Sequence, residues 1–488
     1  MQTRRDQVQA HRFVVSRLTV GLLRADPDAP ESPGRRTNRG MFIGGVLGAL
    51  CAAGAMVFGF ISPGGSTAWK DPKTLIVEQG TGTRYLYDGT LRPVRNYASA
   101  RLIVGADLKT HTVPAKSLAN TPHGSAVGIN GAPDTLPPVS RLDQGPWEVC
   151  AGTRSTDSGG QAPDTSLVVD AAAPGAGVAA GQALLVRGAD GTEYLLWHSN
   201  RFRLAAGSAT ADALGYGTAA PLDVSAAFLD ALPAGADLAP PAVPGRGAAG
   251  PALDGHPTRT GQVFVVQTPG AAQQYYLLQS AGLVPVTTTQ AALALNGPDV
   301  RAKSYGGDSP TALPLAADAI NGASAHGGSG ASANGLPAAP PALLPVGDGQ
   351  AACVRLDAGS SGTQATASGS RISLTLADAS TLTSTAKVPA TAACLPVDAV
   401  VVPPDGGSLV QVLGADGSQV GATTYLVTDA GVKYLIPDAA SAAALGYDLT
   451  TARGLPSPLL AMVPTGPDLS PDNAMLGKNS VTGTPGCG

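Results

Sequence analysis

Internal self-similarity is the feature that most narrows what this 488-residue chain can become. Residues 194–240 align without gaps to residues 425–471. Both stretches begin Tyr-Leu, as Tyr194-Leu195 and Tyr425-Leu426, and both carry Ala-Leu-Gly-Tyr, ending at Tyr216 and Tyr447. Both close alike, with Leu229, Pro233, Gly235, Asp237, Leu238 and Pro240 matching Leu460, Pro464, Gly466, Asp468, Leu469 and Pro471. Gly-Ala-Asp-Gly lies ahead of each, at residues 188–191 and 414–417. Agreement this long marks a repeat protein. Two weaker copies are visible. One has Leu75, Ile76 and Val77, then Tyr85-Leu86-Tyr87, residues 91–94, and a closing segment at 113–124. The other runs through residues 263–266, 276–278 and 284–286 to an irregular ending. Each unit reads as an apolar strand, a Gly turn, a second strand and a third short strand. An alanine-rich helix stopped by Gly follows, then a second short element. The tyrosines fit half-buried packing positions on these strands.

The expected order is repeat 1 (74–124), spacer (125–180), repeat 2 (183–240), repeat 3 (261–324), spacer (325–408) and repeat 4 (409–471). That symmetry predicts that the two spacers pair into one central, mainly β domain with the repeats around it. Gly and Pro number 63 and 41, so many short elements joined by long loops are expected. Residues 241–258 and 322–335 are too rich in Gly, Ala and Pro for the sequence to assign them a structure, and 472–488 reads as a flexible tail. The cysteines are Cys51, Cys150, Cys353, Cys394 and Cys487. Cys150 and Cys353 fall in different spacers, so joining them would staple the core. Cys394 competes for either, and Cys487 is either unpaired or joined to Cys394.

Residues 41–61 carry no charged or strongly polar side chain. At about 1.5 Å per helical residue they span roughly the hydrocarbon core of a bilayer. Arg35, Arg36 and Arg39 precede the run, whereas the positive charge after it is diluted. The positive-inside rule then puts the N-terminus in the cytoplasm and the body outside a cell membrane crossed once. The long head and the 21-residue run argue against a cleaved signal peptide. Gly44 and Gly48 have the small-residue spacing that lets helices pack in a bilayer. Within the head and linker (1–40), Val8, His11, Val15, Leu18 and Leu22 share one helical face, with arginines opposite. This face suits anionic lipid or a cytosolic partner.

Motifs for chemistry are sparse. No Gly-x-x-x-x-Gly-Lys-Ser/Thr occurs, and Gly-x-Ser-x-Gly appears only in degraded form within low-complexity residues 327–330. The histidines, His11, His111, His123, His198, His256 and His326, lack metal-ligand spacing. His198 reads as a solvated turn residue. No catalytic, cofactor or metal site is nominated. With 31 basic against 35 acidic residues and no basic run in the body, nucleic acid is not an expected partner.

Taken together the chain resembles the EccB family, a membrane component of type VII (ESX) secretion systems in actinobacteria. The resemblance rests on the head, with Gln7-Val8, His11-Arg12-Phe13, Arg17 and Leu22-Leu23, and on the single crossing with Trp69 soon after it. The four repeats and the closing run at residues 460–471 complete it. It implies an α+β fold: one N-terminal transmembrane helix, then an elongated extracytoplasmic body of four α/β repeat domains around a central mainly β domain. It implies a central disulfide, carried here to Cys150 and Cys353. It also implies self-association, with the EccC motor ATPase, EccD, EccE and a mycosin protease as partners. The expected role is that of a structural core subunit of the secretion channel. The alternatives are an ATP-hydrolysing subunit with a non-standard site, as some members have been described, and a cell-wall-binding module.

Overall fold

The computed structural model describes residues 4–24, 34–61, 67–143, 145–170, 175–320, 323–324, 335–357, 371–382, 393–413 and 419–482. Residues 414–417, 327–330 and Cys487, and most of 322–335, lie outside these segments. The chain opens with α1 (Arg4–Arg24) and α2 (Gly34–Ile61). Helix α2 begins at Gly34, so residues 34–40, read as linker, are helical, and Arg35, Arg36 and Arg39 extend the crossing helix. Residues Thr37–Val57 are long and apolar enough to cross a membrane.

Repeat 1 comprises β1 (Thr74–Gln79), β2 (Arg84–Tyr87), β3 (Leu91–Pro93), α3 (Tyr97–Val104), β4 (Lys109–Pro114) and α4 (Ala115–Leu118). Then come β5 (Trp147–Ser155), β6 (Gln161–Val168) and β7 (Ala176–Gly177). Repeat 2 holds β8 (Gln182–Gly188), β9 (Glu193–Trp197), β10 (Asn200–Arg203), α5 (Ser208–Ala213), β11 (Leu222–Val224) and α6 (Ala226–Asp230). Repeat 3 holds β12 (Val263–Val266), β13 (Gln274–Gln279), β14 (Gly282–Val286), α7 (Thr288–Leu295), α8 (Val300–Lys303) and β15 (Leu313–Pro314). After β16 (Ala342–Leu343), β17 (Gln350–Asp357), β18 (Arg371–Asp378) and β19 (Ala399–Val401) comes repeat 4. It consists of β20 (Gly407–Leu413), β21 (Gln419–Thr428), β22 (Lys433–Ile436), α9 (Ala439–Leu445), β23 (Arg453–Pro456) and α10 (Ser457–Ala461), and α11 (Pro471–Leu476) follows.

Every repeat uses one topology. Its first three strands form an antiparallel meander, and a helical crossover returns the fourth strand parallel to the first. The helix makes that crossover possible, because parallel neighbours need a long connection. A polar side chain caps the first helix of three repeats: Asn96, Thr287 and Asp438 accept from the backbone N–H of Ser99, Gln290 and Ser441. Helix α9 stops at Gly446, whose φ of 89° suits glycine.

The gap-free match between repeats 2 and 4 breaks at the hairpin. Trp197 pairs with Asn200 across a turn of His198 and Ser199, whereas the turn between Thr428 and Val432 holds Asp429, Ala430 and Gly431. From there Phe202, opposite Leu195, corresponds to Tyr434, opposite Leu426. One extra residue ahead of α5 restores the alignment by Tyr216 and Tyr447. The closing glycines respect the structural pairing: a Cβ at Gly235 would fall on the Phe202 ring, and one at Gly466 on the Tyr434 ring.

The central sheet has the order β19-β6-β5-β17-β18-β7. It is symmetric about the antiparallel β5–β17 pair, each half contributing a two-stranded hairpin and one outer strand. The outer strands are exchanged: β19 pairs with β6, and β7 with β18. Repeats 2 and 4 pack on one face of this sheet, where Trp147, Val149, Leu356 and Val354 meet Val186, Phe228, Val412 and Leu459. Repeat 1 joins repeat 4 through Ala98 and Leu102 on α3 and Ala442 and Leu445 on α9. Repeat 3 joins repeat 2 through Leu293 on α7 beside Ala211 and Leu214. The arrangement is a pseudo-dimer of repeat–spacer–repeat halves, as the sequence symmetry suggested for the spacers.

Two segments whose composition assigns no fixed structure are built. Residues 241–258 fold back on repeat 3: Gly247 and Gly250 donate to Thr260 and Thr258, and Leu253 and His256 exchange backbone bonds around a turn in which Asp254 and Gly255 have positive φ. Composition missed this because the bonds are backbone bonds, to which Gly and Ala contribute fully. The start of the expected tail is α11, capped by Ser470 with Pro471 in the first turn and Gly477 at its end. Those local signals were present in the sequence.

The Ala-Leu-Gly-Tyr motif acts as a pin. Tyr216 Oη donates to the Pro341 carbonyl at 2.7 Å, and Tyr447 Oη to the Pro137 carbonyl at 2.8 Å. Each acceptor lies on the strand-like segment leaving the partner repeat. Ala342 there pairs with Gln182, and Leu142 with Gly407. Burial pushes Tyr216 up to about 12 and raises Tyr447 further, so both remain donors at any physiological pH. Tyr447→Phe is expected to lower unfolding free energy by about 1–3 kcal/mol, since it orphans a buried carbonyl. Tyr216→Phe should cost a similar amount. Equal denaturant midpoints for wild type and Y447F would refute the pin.

Candidate functional site

Among the described residues the informative sites are those that hold pieces together or face outward. The first is the seam. Register places Cys150 directly opposite Cys353 on β5 and β17, and the two are disulfide-bonded across 203 residues of chain. Glu148 and Arg355 form the next cross-strand pair on the same face, with Nη1 and Oε1 2.9 Å apart and Glu148 buried. Desolvation raises the Glu148 pKa while the Arg355 hydrogen bond and charge oppose it. Donor atoms of Glu148, Cys150 and Cys353 lie within 4.8 Å of one another. With the sulfurs bonded to each other and Glu148 facing Arg355, this set serves structure rather than a metal. Cys394 is also disulfide-bonded, while Cys51, exposed on α2, is a free thiol.

The second site is the junction around repeat 4. Arg101 on α3 donates from Nε and Nη2 to the carbonyls of Ala444 and Leu445, placing its charge at the C-terminal end of α9. Asp143, in the left-handed region at φ 54°, accepts from Ser408 Oγ and from the Leu409 N–H at 3.3 Å. Burial raises its pKa against these hydrogen bonds and the nearby Arg453. Lys433 is wholly buried, and its Nζ donates to the carbonyls of Leu460, at 2.6 Å, and Val463. Desolvation lowers its pKa to about 8. Sequence reading passed over Arg101 and Asp143 because each acts across a junction, and Lys433 because its acceptors lie far along the same repeat; none carries a local motif.

The third is the pair of N-terminal helices. Val8, His11, Val15, Leu18 and Leu22 are all exposed on α1, joined by Phe13 and Val14, which the helical spacing left out. Arg17 lies over the Phe13 ring. On α2, Gly44 and Gly48 are exposed, and a Cβ at either would meet nothing within 4 Å. His198 is exposed at the β9–β10 turn with φ 55°, stacked on Trp197.

Lys433 makes a signed prediction. Its folded pKa of about 8 lies below the ordinary 10.5, so the folded state releases this proton first. Stability is therefore reduced in full below pH 8 and recovers as pH rises toward 10.5. Between pH 7.5 and 9.5 the wild type should gain roughly 2 kcal/mol relative to Lys433→Met in urea unfolding. Parallel pH profiles would contradict it. At the seam, the Cys150→Ser/Cys353→Ser double variant should lose about 2–5 kcal/mol, read from the same unfolding curves.

Comparison with known proteins places the chain. The family model described as "Type VII secretion system ESX-1, transport TM domain B" matches residues 1–483. The ESX-3 secretion system ATPase EccB3 of Mycolicibacterium smegmatis is 27% identical over 99% of this chain and 92% of its own length. A solved structure, the periplasmic assembly from the ESX-5 inner membrane complex, aligns over 87% of this chain and all of that chain, with TM-score 0.66 and 25% identity. The EccB3 dimer from the ESX-3 core complex aligns over 82% of this chain and 99% of that one, with TM-score 0.63 and 25% identity. With a family model spanning nearly all of its length, from the α1 head through the four repeats to α11, this chain belongs to the EccB family of type VII secretion systems.

Proposed function

We propose that this protein is a structural core subunit of a type VII secretion membrane complex. Helix α2 anchors it, α1 lies on the cytoplasmic side, and the pseudo-dimeric body stands outside the membrane and self-associates. The observation that carries this reading is the likeness to the ESX-5 periplasmic assembly, which extends over 87% of this chain and all of that one. The orientation follows from Arg35, Arg36 and Arg39 at the start of α2. The exposed apolar face of α1 is the docking surface for cytosolic subunits, with the EccC motor, EccD and EccE as partners and a mycosin protease on the far side. The Gly44–Gly48 face packs against another membrane helix.

Relatives carry the word ATPase in their names. This chain has no phosphate-cradling Gly-rich loop with its lysine. ATP turnover in a purified complex should accordingly follow the motor subunit and vanish when that subunit's site is disabled. Turnover by residues 67–488 alone would overturn the structural reading.

Leu18→Glu/Leu22→Glu in the full chain should abolish copurification of the cytosolic subunits while leaving the protein in the membrane. Retention of those subunits would remove α1 as the docking site. Gly44→Leu/Gly48→Leu should reduce the assembled complex on native gels, and undiminished assembly would leave α2 a plain tether.

A further inference from the structure

Repeat 1 differs from the rest of the body in charge. Residues 67–124 carry eight Lys and Arg against four Asp and Glu, whereas residues 125–488 carry 15 against 27. Repeat 1 is also the repeat next to the membrane helix in the chain. Helix α2 ends at Ile61, and a short helical turn, Thr67–Lys70, leads into the repeat. Six Cα–Cα steps separate Ile61 from Thr67, so the turn starts within about 20 Å of the end of α2. We propose that one face of repeat 1 binds the anionic phospholipid headgroups of the membrane that α2 crosses, holding the body with repeat 1 toward the bilayer.

The face is defined by what packs on it. Trp69 of the turn and Leu118 of α4 meet Ile76, Tyr85 and Val113 on one side of the sheet, while α3 covers the other through Ala100 beside Leu75 and Leu86. Alternation along β4 puts Lys109 and His111 on the same side as Val113, with His111 paired to Ile76. Lys70, Lys109 and Lys116 are exposed. Lys70 Nζ lies 5.4 Å from the Trp69 ring centre and 6.0 Å from that of Tyr87, a joining of cation and aromatic that suits a headgroup region. None of the three lysines has an ion-pair partner among the described residues, whereas Lys73, Arg84 and Arg92 of the same repeat are held by Asp107, Asp134 and Asp88. The nearby carboxylates are engaged: Glu78 accepts from Thr81 Oγ1 and Tyr85 Oη, and Asp71 from the Lys73 N–H. The acidic remainder of the body is repelled by the same lipid, which turns repeat 1 toward the membrane. Near an anionic bilayer each lysine favours contact roughly fivefold, and three together on the order of a hundredfold.

The contact rests on α2 as the anchor proposed above, and the test separates the two. The full chain is placed in nanodiscs of phosphatidylcholine alone or of an equal mixture with phosphatidylglycerol, and exposed amines are acetylated and read by mass spectrometry. Lys70, Lys109 and Lys116 should label at least about fivefold more slowly in the anionic discs. Lys303, exposed on repeat 3, should label equally in both. Raising salt to about 1 M, where the Debye length is about 3 Å, should abolish the difference. In the Lys109→Glu/Lys116→Glu variant, with its urea midpoint unchanged, Lys70 should label at the same rate in both discs. Equal labelling of the three wild-type lysines in the two lipids would overturn the headgroup contact and leave α2 as the anchor. Slow labelling in both lipids, indifferent to salt, would show that the face is covered without anionic lipid and would sink the proposal too. Protection that appears only when other subunits are added would put an acidic protein there instead. Failure to enter discs of either lipid would strike the α2 anchor, and this contact with it.

Discussion

Everything in the body depends on the antiparallel pairing of β5 with β17. The two strands belong to halves of the chain separated by more than two hundred residues, and the exchanged pairs β19–β6 and β7–β18 extend the same sheet on either side. Their pairing creates two faces of opposite character. One buries Trp147, Val149, Val354 and Leu356 beneath repeats 2 and 4. The other carries Cys150, Cys353, Glu148 and Arg355. An antiparallel pair about a two-fold axis sets the position on that axis opposite its own equivalent, so a cysteine there in each half meets its counterpart without any further adjustment of the backbone.

The repeats need that centre. A unit of about fifty to sixty residues with two short helices and a four-stranded sheet buries too little surface to be secure alone. Each repeat therefore spends part of its apolar surface on a neighbour: repeat 1 on repeat 4, repeat 3 on repeat 2, and the inner two on the central sheet. Polar bonds then fix the angles at these borders. Tyr216 and Tyr447 hold the passing segments, Arg101 closes the end of α9, and Asp143 grips β20. Non-directional burial sets which surfaces meet, and these few directional bonds set how.

Much of this was legible in residue order, for physical reasons. Repetition constrains every copy to one topology, so two clear copies were enough to recover two faint ones. The order of spacers foretold the central sheet, and the arginine-flanked apolar run foretold α2. What could not be read depended on position in space. The three-residue turn at Asp429, Ala430 and Gly431 hides because a compensating residue before α5 restores the count. The ordering of residues 241–258 hides because it rests on main-chain groups. Lys433 is invisible as a buried amine because the carbonyls of Leu460 and Val463 that receive it lie some thirty residues away. Phe13 escaped the head's apolar stripe because it lies on the opposite side of the helix, beneath Arg17, where the 3–4 spacing does not reach.

The exchange of outer strands carries a consequence for how the body comes into being. Strand β6 has only β5 beside it until residues 399–401 arrive, and β7 must wait for β18. A body built in chain order thus has its first half unfinished until the second arrives, with an open edge on β6 and an unanswered one on β5. Completion requires closure over some two hundred residues, the slow kind of contact for a chain. During that interval a second nascent copy offers the same strands in the same register. Local concentration and the pace of chain growth then decide whether each chain closes on itself or on its neighbour.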